Sequence, residues 1–176
     1  MEKQIPEFLK TMLIEQYGEE IANKIIDGYS KQRYVTLRAN TIKATNEEIK
    51  KELKNSNIEY KEIEWYKDAL IIKNVKENEI RKMPIYEDGK IYLQSLSSML
   101  PPIVLEPKEG ENILDMAAAP GGKTTQIAAI TDNDSYITAC EKNKIRAERL
   151  KYNLQKQGVT CTNVMTEDAR HLTKFC

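Results

Sequence analysis

The chain has 176 residues, of which 40% are hydrophobic and 31% are charged, and its 27 basic side chains equal its 27 acidic ones. This length suits one domain, or one domain with a small appendage, and the apolar content excludes general disorder. The balanced charge excludes a uniformly basic domain, so a nucleic-acid partner would need a local basic patch.

The sequence has no pattern typical of a membrane or secreted protein. No run approaches the roughly 18 consecutive apolar residues that cross a bilayer, and Glu2 stands where a secretory signal is basic. The three cysteines, Cys140, Cys161 and Cys176, have no Cys-x-x-Cys spacing, and there is one histidine, which disfavours a zinc site. We expect a cytoplasmic protein with reduced thiols, no metal and no membrane partner.

Residues 1–93 are predicted to form a small α+β module. Helical spacing of apolar residues indicates a helix that stops at Gly18 and a second one that ends near Gly28. Alternation predicts a strand after Tyr34, and Thr45 with Glu48 forms a capping-box signature that begins a helix. Short apolar runs predict further strands at residues 58–63, 69–72 and 90–93.

Residues 94–176 have a different pattern of predicted elements, in which strands alternate with helices, and are predicted to be α/β. A helix is expected from Ser95 to Leu105, although Pro101 and Pro102 should kink or end it. Strand candidates alternate with helix candidates: strands at 112–116, 135–140 and 160–165, helices at 124–130 and 143–158. This order predicts parallel strands joined by crossover helices, the first three strands of a Rossmann-like sheet.

The segment Asp115-Met-Ala-Ala-Ala-Pro-Gly-Gly-Lys-Thr-Thr joins the first of these strands to its helix. Its small residues let a ligand approach the backbone, and the N–H groups at the helix start favour an anionic group. Glu141 ends the next strand, close to the ~20-residue spacing at which an acid binds ribose hydroxyls. The pattern predicts a nucleoside site; the alternative is that Gly121 and Gly122 form only a tight turn.

A phosphate-binding P-loop is a second interpretation, because Gly121-Gly122-Lys123-Thr124 resembles the end of G-x-x-x-x-G-K-[ST]. The first glycine of that pattern is replaced by Ala117. Pro120 also lacks an N–H that a phosphate cradle would use. An adenosine ligand without phosphates, with its ribose on Glu141, is therefore favoured over a degenerate P-loop.

With these motifs, the sequence resembles the Sun/Fmu-type RNA 5-methylcytosine methyltransferases. The loop after Asp115 resembles the family's cofactor loop, with Ala117 at a position that is often cysteine there. Arg38-Ala-Asn-Thr-Ile-Lys is similar to a segment of its N-terminal module, and Gln94-Ser-Leu-Ser-Ser-Met-Leu-Pro to the segment ahead of its cofactor domain. The residues after the second strand keep the family spacing: Glu141, Arg146 and Asn153.

The resemblance implies a class I methyltransferase that transfers a methyl group from S-adenosylmethionine to carbon 5 of cytosine, in ribosomal RNA or alternatively in transfer RNA. It implies that the loop wraps the methionine end of the cofactor, with Asp115 ordering it from behind. Glu141 would accept hydrogen bonds from the ribose, and Asp168 from adenine. The implied cofactor-binding residues are Ala117, Ala118, Ala119, Pro120, Gly121, Gly122, Lys123, Glu141 and Asp168.

The family's two catalytic cysteines follow later strands, one of them in an Asp-x-Pro-Cys segment that this chain lacks. We assign no cysteine as nucleophile, and we expect Cys140 and Cys161 to be core residues. Because the family's sheet has seven strands, we expect an inactive part of a larger enzyme that binds cofactor weakly and exposes an apolar sheet edge.

A non-catalytic RNA-binding fragment is the remaining alternative. A patch on the first module could bind phosphates; its residues are Lys31, Arg33, Arg38 and Lys43. A solvated face is an equally consistent interpretation of these residues. Arg149 and its basic neighbours on the last helix are expected to be surface charge, with Arg146 packed near Glu141. No feature of the sequence specifies an oligomeric state.

Overall fold

A computed structural model describes residues 5–31 and 33–174 of the chain. The chain divides into two compact units, the first ending at Tyr34 and the second beginning at Val35. The predicted boundary between residues 93 and 94 lies inside the second unit and stays a prediction. Across the described residues, no helix combines the length and apolarity needed to span a membrane.

The first unit consists of two helices, α1 (Glu7–Tyr17) and α2 (Glu19–Ser30). Gly18 separates them with a φ of 77°, a left-handed conformation that suits glycine, and it ends α1 as predicted. Helix α2 ends two residues later than predicted, because Gly28 keeps a helical conformation.

The second unit begins with an antiparallel sheet in the order β2-β3-β1-β4. Its strands are β1 (Val35–Ala39), β2 (Tyr60–Glu62), β3 (Ala69–Ile72) and β4 (Ile91–Leu93). Leu37 on β1 is paired with Leu70 on one side and Leu93 on the other. Ile49 and Leu53 from the following helix join these strands in one buried cluster, so the predicted α+β character is confirmed.

Helix α3 (Asn46–Asn55) begins as its capping box predicts. The Glu48 N–H donates to the Thr45 hydroxyl at 3.3 Å, and the Thr45 N–H donates to the Glu48 carboxylate at 2.7 Å. Hydrogen bonds from the Thr45 N–H and the Thr45 hydroxyl to the Glu48 carboxylate hold the pKa of Glu48 below its usual value. Two helices of four residues, α4 (Glu77–Ile80) and α5 (Pro84–Glu87), were not predicted because one turn shows no 3.6-residue period.

Helix α6 (Leu96–Leu105) continues through Pro101 and Pro102. Of the two expected effects, a kink or an end, the structure excludes an end at the prolines. Proline has no N–H, and the carbonyl of Ser98, four residues before Pro102, therefore loses its helical donor. The side-chain amide of Gln94 donates to this carbonyl at 2.9 Å. A tertiary hydrogen bond thus replaces the missing helical one.

The rest of the second unit is the predicted parallel sheet. Its strands are β5 (Asn112–Asp115), β6 (Tyr136–Cys140) and β7 (Thr162–Met165), in that spatial order. They alternate with α7 (Gly122–Ile130) and α8 (Lys144–Gln157), and a 3-10 segment at Ala169–Lys174 follows. Apolar side chains of β5, β6 and α7 share one core, and those of β6 and α8 share another. The fold prediction is confirmed.

Strand β5 is an edge of this sheet, because β6 is its one hydrogen-bonded neighbour among the strands that the structure describes. Leu114 and Met116 at this edge are 47% and 55% exposed. The predicted exposure of apolar side chains beside the first parallel strand is therefore observed.

Hydrogen bonds join the two sheets within the second unit. The side-chain amide of Asn40, just after β1, donates to the carbonyls of Gly89 and Gln157, both at 2.8 Å. Gly89 has a φ of 71°, and a Cβ at this position would collide with the carbonyl oxygen of Lys156. Glycine is therefore needed where these two backbones meet.

Two residues of the predicted phosphate patch, Arg38 and Lys43, instead make contacts between the two sheet-containing parts of the second unit. This corrects the prediction that they form a surface for phosphates. Arg38 is fully buried and donates to the Thr125 hydroxyl of α7 at 3.0 Å, and burial lowers the pKa of its guanidinium. The ammonium of Lys43 donates to two backbone carbonyls. Lys31 and Arg33 are exposed residues of the first unit.

Candidate functional site at the carboxyl ends of β5 and β6

The loop between β5 and α7 is organised by the carboxylate of Asp115, which is 6% exposed. This carboxylate accepts hydrogen bonds from the Ala117 N–H at 3.2 Å, the Lys123 ammonium at 3.0 Å and the Thr124 hydroxyl at 2.8 Å. Lys123 also donates to the Ala117 carbonyl at 2.7 Å. The geometry agrees with the predicted role of Asp115 in ordering the loop from behind.

The end of the loop is closely packed against α8. The peptide bond between Ala119 and Pro120 is cis. Gly121 has a φ of 114°, and a Cβ there would lie 3.1 Å from the Leu150 Cδ1 atom, so both conformation and space require glycine. Helix α7 begins at Gly122, which puts the N–H groups of its first turn beside the loop.

Glu141 lies directly after β6, and one arginine connects it to the loop. Arg146 Nη1 is 3.1 Å from the Glu141 Oε2 atom, and its Nη2 donates to the Ala119 carbonyl at 2.9 Å. Glu141 is 6% exposed, so this ion pair is shielded on the carboxylate side. The predicted packing of Arg146 near Glu141 is confirmed.

A second residue of α8 fixes the loop at its next carbonyl. The side-chain amide of Asn153 donates to the Pro120 carbonyl at 2.6 Å, and the Tyr92 hydroxyl reaches the same oxygen at 3.4 Å. The sequence indicated Asn153 only through its spacing. Its contact could not be read from the sequence, because it depends on the packing of α8 against the loop.

Asp168 lies beyond the end of β7 and is held by a neighbour. Three groups of Arg170, the backbone N–H, Nε and Nη2, donate hydrogen bonds to its carboxylate, and these hold the pKa of Asp168 well below its usual range. The charge of Lys142, next to Glu141, lowers this pKa further. Within the described residues, no hydrogen bond joins Asp168 to the loop or to Glu141.

The structure therefore brings the predicted site residues 117–123 together with Glu141. Asp168 follows the third strand, where the charge of Lys142 acts on it. Their function as cofactor ligands stays a prediction.

The described cysteines have core positions. Cys140 on β6 is fully buried, and burial raises the pKa of its thiol. Cys161 precedes β7 and packs partly buried against an apolar cluster. Both are free thiols, and Cys176 lies outside the described residues. In the part of the chain that the structure describes, no three acidic, histidine or cysteine side chains group as metal ligands.

The position of Lys123 disfavours the P-loop interpretation. In a P-loop this lysine reaches the β- and γ-phosphates. Here its ammonium is turned back to Asp115 and to the Ala117 carbonyl.

A groove of about 1010 Å³ borders the same loop and was not predicted. We call it the loop groove; its main charged and aromatic lining residues are Arg81, Tyr86, Tyr92, Arg149, Tyr152 and Lys156. Three of these recur at intervals of three and four residues along α8, which places them on one helical face. That spacing was present in the sequence but was not used; of the three residues, only Arg149 was interpreted, as surface charge.

Family models match both parts of the chain. Residues 102–176 match the model described as 16S rRNA methyltransferase RsmB/F. Residues 5–77 match the ferredoxin-like domain of RsmF/B-like methyltransferases.

Individual relatives agree. The chain is 39% identical over 141 residues to the tRNA (cytosine(49)-C(5))-methyltransferase of Pyrococcus abyssi, covering 80% of this chain and 45% of that protein. It is 36% identical over 166 residues to the 25S rRNA (cytosine-C(5))-methyltransferase nop2 of Schizosaccharomyces pombe, covering 93% and 27%. The solved structure of a methyltransferase homolog from Pyrococcus horikoshii matches with a TM-score of 0.83 at 29% identity, covering 97% and 55%. The chain thus spans less than half the length of these two curated relatives.

The fold, the loop after β5 and the acid after β6 define a Rossmann-like methyltransferase domain, here preceded by a ferredoxin-like module. The chain belongs to the RsmB/RsmF family of methyltransferases, and the resemblance seen in the sequence is confirmed. The methyl donor of this family is S-adenosylmethionine.

Proposed function

We propose that this chain is the cofactor-binding part of an S-adenosylmethionine-dependent RNA methyltransferase that modifies carbon 5 of cytosine. The observation that carries the proposal is the bridge made by Arg146, which holds the Glu141 carboxylate and the Ala119 carbonyl of the loop with one guanidinium. The bridge keeps an acid beside a loop of small side chains, of which Ala118 and Ala119 are buried. Both lie at the carboxyl edge of a parallel sheet, where such folds bind nucleotides.

The residues present fit an adenosine-containing ligand. The Glu141 carboxylate accepts from the Asn143 N–H at 2.9 Å and from Arg146, and a carboxylate has about four acceptor sites. Capacity for ribose hydroxyls therefore remains. The first turn of α7 would face the carboxylate of the methionine end, and Asp168, kept ionised by Arg170, would accept from the adenine amine. S-adenosylmethionine, when bound, supplies the methyl group.

The chain's own residues account for binding and orientation of the cofactor, not for attack on the base. Cytosine-5 transfer of this type uses a cysteine nucleophile, and such a cysteine needs an accessible thiolate. Cys140 is buried with a raised thiol pKa. We therefore propose no catalytic residue here, and we do not expect this chain alone to methylate RNA.

Ribosomal RNA is the proposed substrate class, because the family model for the second half is described as a 16S rRNA methyltransferase. Transfer RNA is the alternative, since the Pyrococcus abyssi relative is named for it. A degenerate P-loop is disfavoured by the Lys123 contacts. A non-catalytic RNA-binding chain would share the fold but would not need the cofactor site. We also propose a cytoplasmic location.

Cofactor binding is best tested by a method that detects weak complexes. In a two-dimensional amide NMR titration of the chain with S-adenosylhomocysteine, we expect the Gly121 and Gly122 signals to shift and that of Gly110, before β5, to stay. Glu141→Ala should weaken binding at least tenfold, because hydrogen bonds to a charged acceptor contribute about 1.5–3 kcal/mol each. Glu148→Ala, on the exposed side of α8, is the matched control.

The result that would overturn the proposal is a folded Glu141→Ala variant that binds S-adenosylhomocysteine as tightly as the parent chain, or no shift at millimolar ligand. The spectrum of each variant reports its folding. Binding of magnesium and ATP that is lost in Lys123→Met would instead favour the P-loop interpretation.

A further inference from the structure

The loop groove combines basic and aromatic side chains next to the proposed cofactor site. Its lining residues come from the end of α4, from α5, β4 and α6, and from α8, and it reaches the loop at Ala118, Pro120 and Lys123. None of its described lining residues is an aspartate or glutamate. A volume of about 1010 Å³ is at the upper end of the range for small-molecule pockets, so the groove can take a segment of a polymer.

Arg149 is the cation of this groove that is available for a partner. Arg81 already pairs with Glu77 at 2.6 Å, and Lys123 pairs with Asp115 at 3.0 Å. The Lys156 ammonium lies 4.0 Å from the centre of the Tyr86 ring. Arg149 is exposed, and its guanidinium makes no hydrogen bond or ion pair with any residue that the structure describes. An unpaired guanidinium can bind a phosphate through two parallel hydrogen bonds.

Tyr152 provides an aromatic surface on the same side of α8. It lies three residues after Arg149, a spacing that makes the two side chains neighbours on a helix. The residue is 60% exposed, although it lines the groove. Aromatic rings that stand free beside a positive groove are the usual platforms on which unpaired bases stack.

We propose that the loop groove binds a single-stranded segment of the RNA substrate, with Arg149 on a phosphate and Tyr152 stacked on a base. This inference rests on the proposed function and extends it, because it names the surface that brings RNA to the loop. An acidic protein segment would use the cations but has no need of an exposed aromatic ring, so RNA is favoured. We propose the loop groove in place of the phosphate patch predicted from the sequence, because Arg38 of that patch is fully buried.

The proposal is tested by fluorescence anisotropy of a labelled single-stranded 12-nucleotide RNA on the chain. Tyr152→Ala should weaken binding about tenfold, because the variant removes the ring on which one base stacks. Tyr152→Phe should keep the affinity. Arg149→Gln should weaken binding and lower the slope of log affinity against log salt by about 0.7, the loss of one phosphate contact to a single strand.

Matched controls lie at the amino-terminal ends of the parallel strands, opposite the ends that carry the loop. Tyr136, at the amino end of β6, is 71% exposed, and Lys108 precedes β5. Tyr136→Ala and Lys108→Gln remove the same kinds of group and should leave RNA binding unchanged. Affinities that are equal across all five variants and the parent would overturn the proposal, as would competition by poly-glutamate that is insensitive to Tyr152→Ala.

The titration with S-adenosylhomocysteine separates this inference from the proposed function. If the cofactor analogue binds and RNA binding is insensitive to Arg149 and Tyr152, the groove assignment fails and the cofactor site stands. If RNA binding depends on the groove and the analogue does not bind, the proposed cofactor site fails.

Discussion

The guanidinium of Arg38 on β1 donates a hydrogen bond of 3.0 Å to the hydroxyl of Thr125 on α7. Thr125 in turn donates to the Gly121 carbonyl at 2.8 Å. Two buried side chains therefore connect β1, an interior strand of the antiparallel sheet, to the loop between β5 and α7. The Arg38 Nε also donates to Gln94, whose amide replaces the helical bond lost at Pro102.

We predict that Arg38→Met destabilises the chain by about 1–3 kcal/mol, because the buried Gln94 and Thr125 side chains lose a donor and no water replaces it. Arg38→Lys should recover only part of this loss, since one ammonium cannot reproduce the geometry of a guanidinium. Urea unfolding measures the difference. Arg149→Gln, at an exposed arginine, serves as the control, and an unchanged midpoint for Arg38→Met would contradict the structural role.

The contact between Gly89 and Lys156 makes a second prediction. Gly89→Ala adds a Cβ that collides with the Lys156 carbonyl and also forces alanine into a left-handed conformation. Gly110→Ala has the same conformational penalty, with a φ of 80°, but its Cβ meets no atom within 4 Å. The conformational term is about 1–2 kcal/mol for both. The thermal midpoint of Gly89→Ala should therefore fall clearly below that of Gly110→Ala; equal midpoints would show that the collision is relieved at no cost.

The Asp168 and Arg170 pair predicts a pH dependence. The pKa of the Asp168 carboxyl is lowered by its hydrogen bonds from Arg170. The attraction is therefore fully present above the ordinary aspartate pKa of about 3.9 and is lost as the pH falls through the lowered value. Carbon-detected NMR of the carboxyl group should show Asp168 still ionised at pH 4. In Arg170→Ala the transition should move up toward the ordinary value, and an unmoved transition would remove Arg170 as the cause.

Cys140 should resist alkylation in the folded chain. Its thiol is fully buried and its pKa is raised by that burial, so little thiolate is accessible at pH 8. Iodoacetamide followed by peptide mass spectrometry should leave Cys140 unmodified in buffer and modify it in 8 M urea. Rapid modification in buffer would reopen the question of a catalytic thiol on β6.

Local patterns were sufficient wherever a structure depends on neighbouring residues. The sequence predicted both the capping box of Thr45 and Glu48 and the Rossmann-like order of β5 to β7. Both can be recognised because helix caps and hydrophobic periodicity depend on residues close together in the chain. The loop from Ala117 to Lys123 was also recognisable, since close approach of a ligand requires small residues in sequence.

Only the tertiary structure decided which side chains are buried and which groups they contact. Nothing local distinguishes Arg38 from a surface arginine; its burial follows from the packing of β1 against α7. The helical bond lost at Pro102 is replaced by one from Gln94, which the tertiary structure brings to the Ser98 carbonyl. The loop groove likewise needs α8 to lie beside β4. Amino-acid order thus determined the elements and the site's composition, while long-range packing, which no local period encodes, determined the partners of its polar groups.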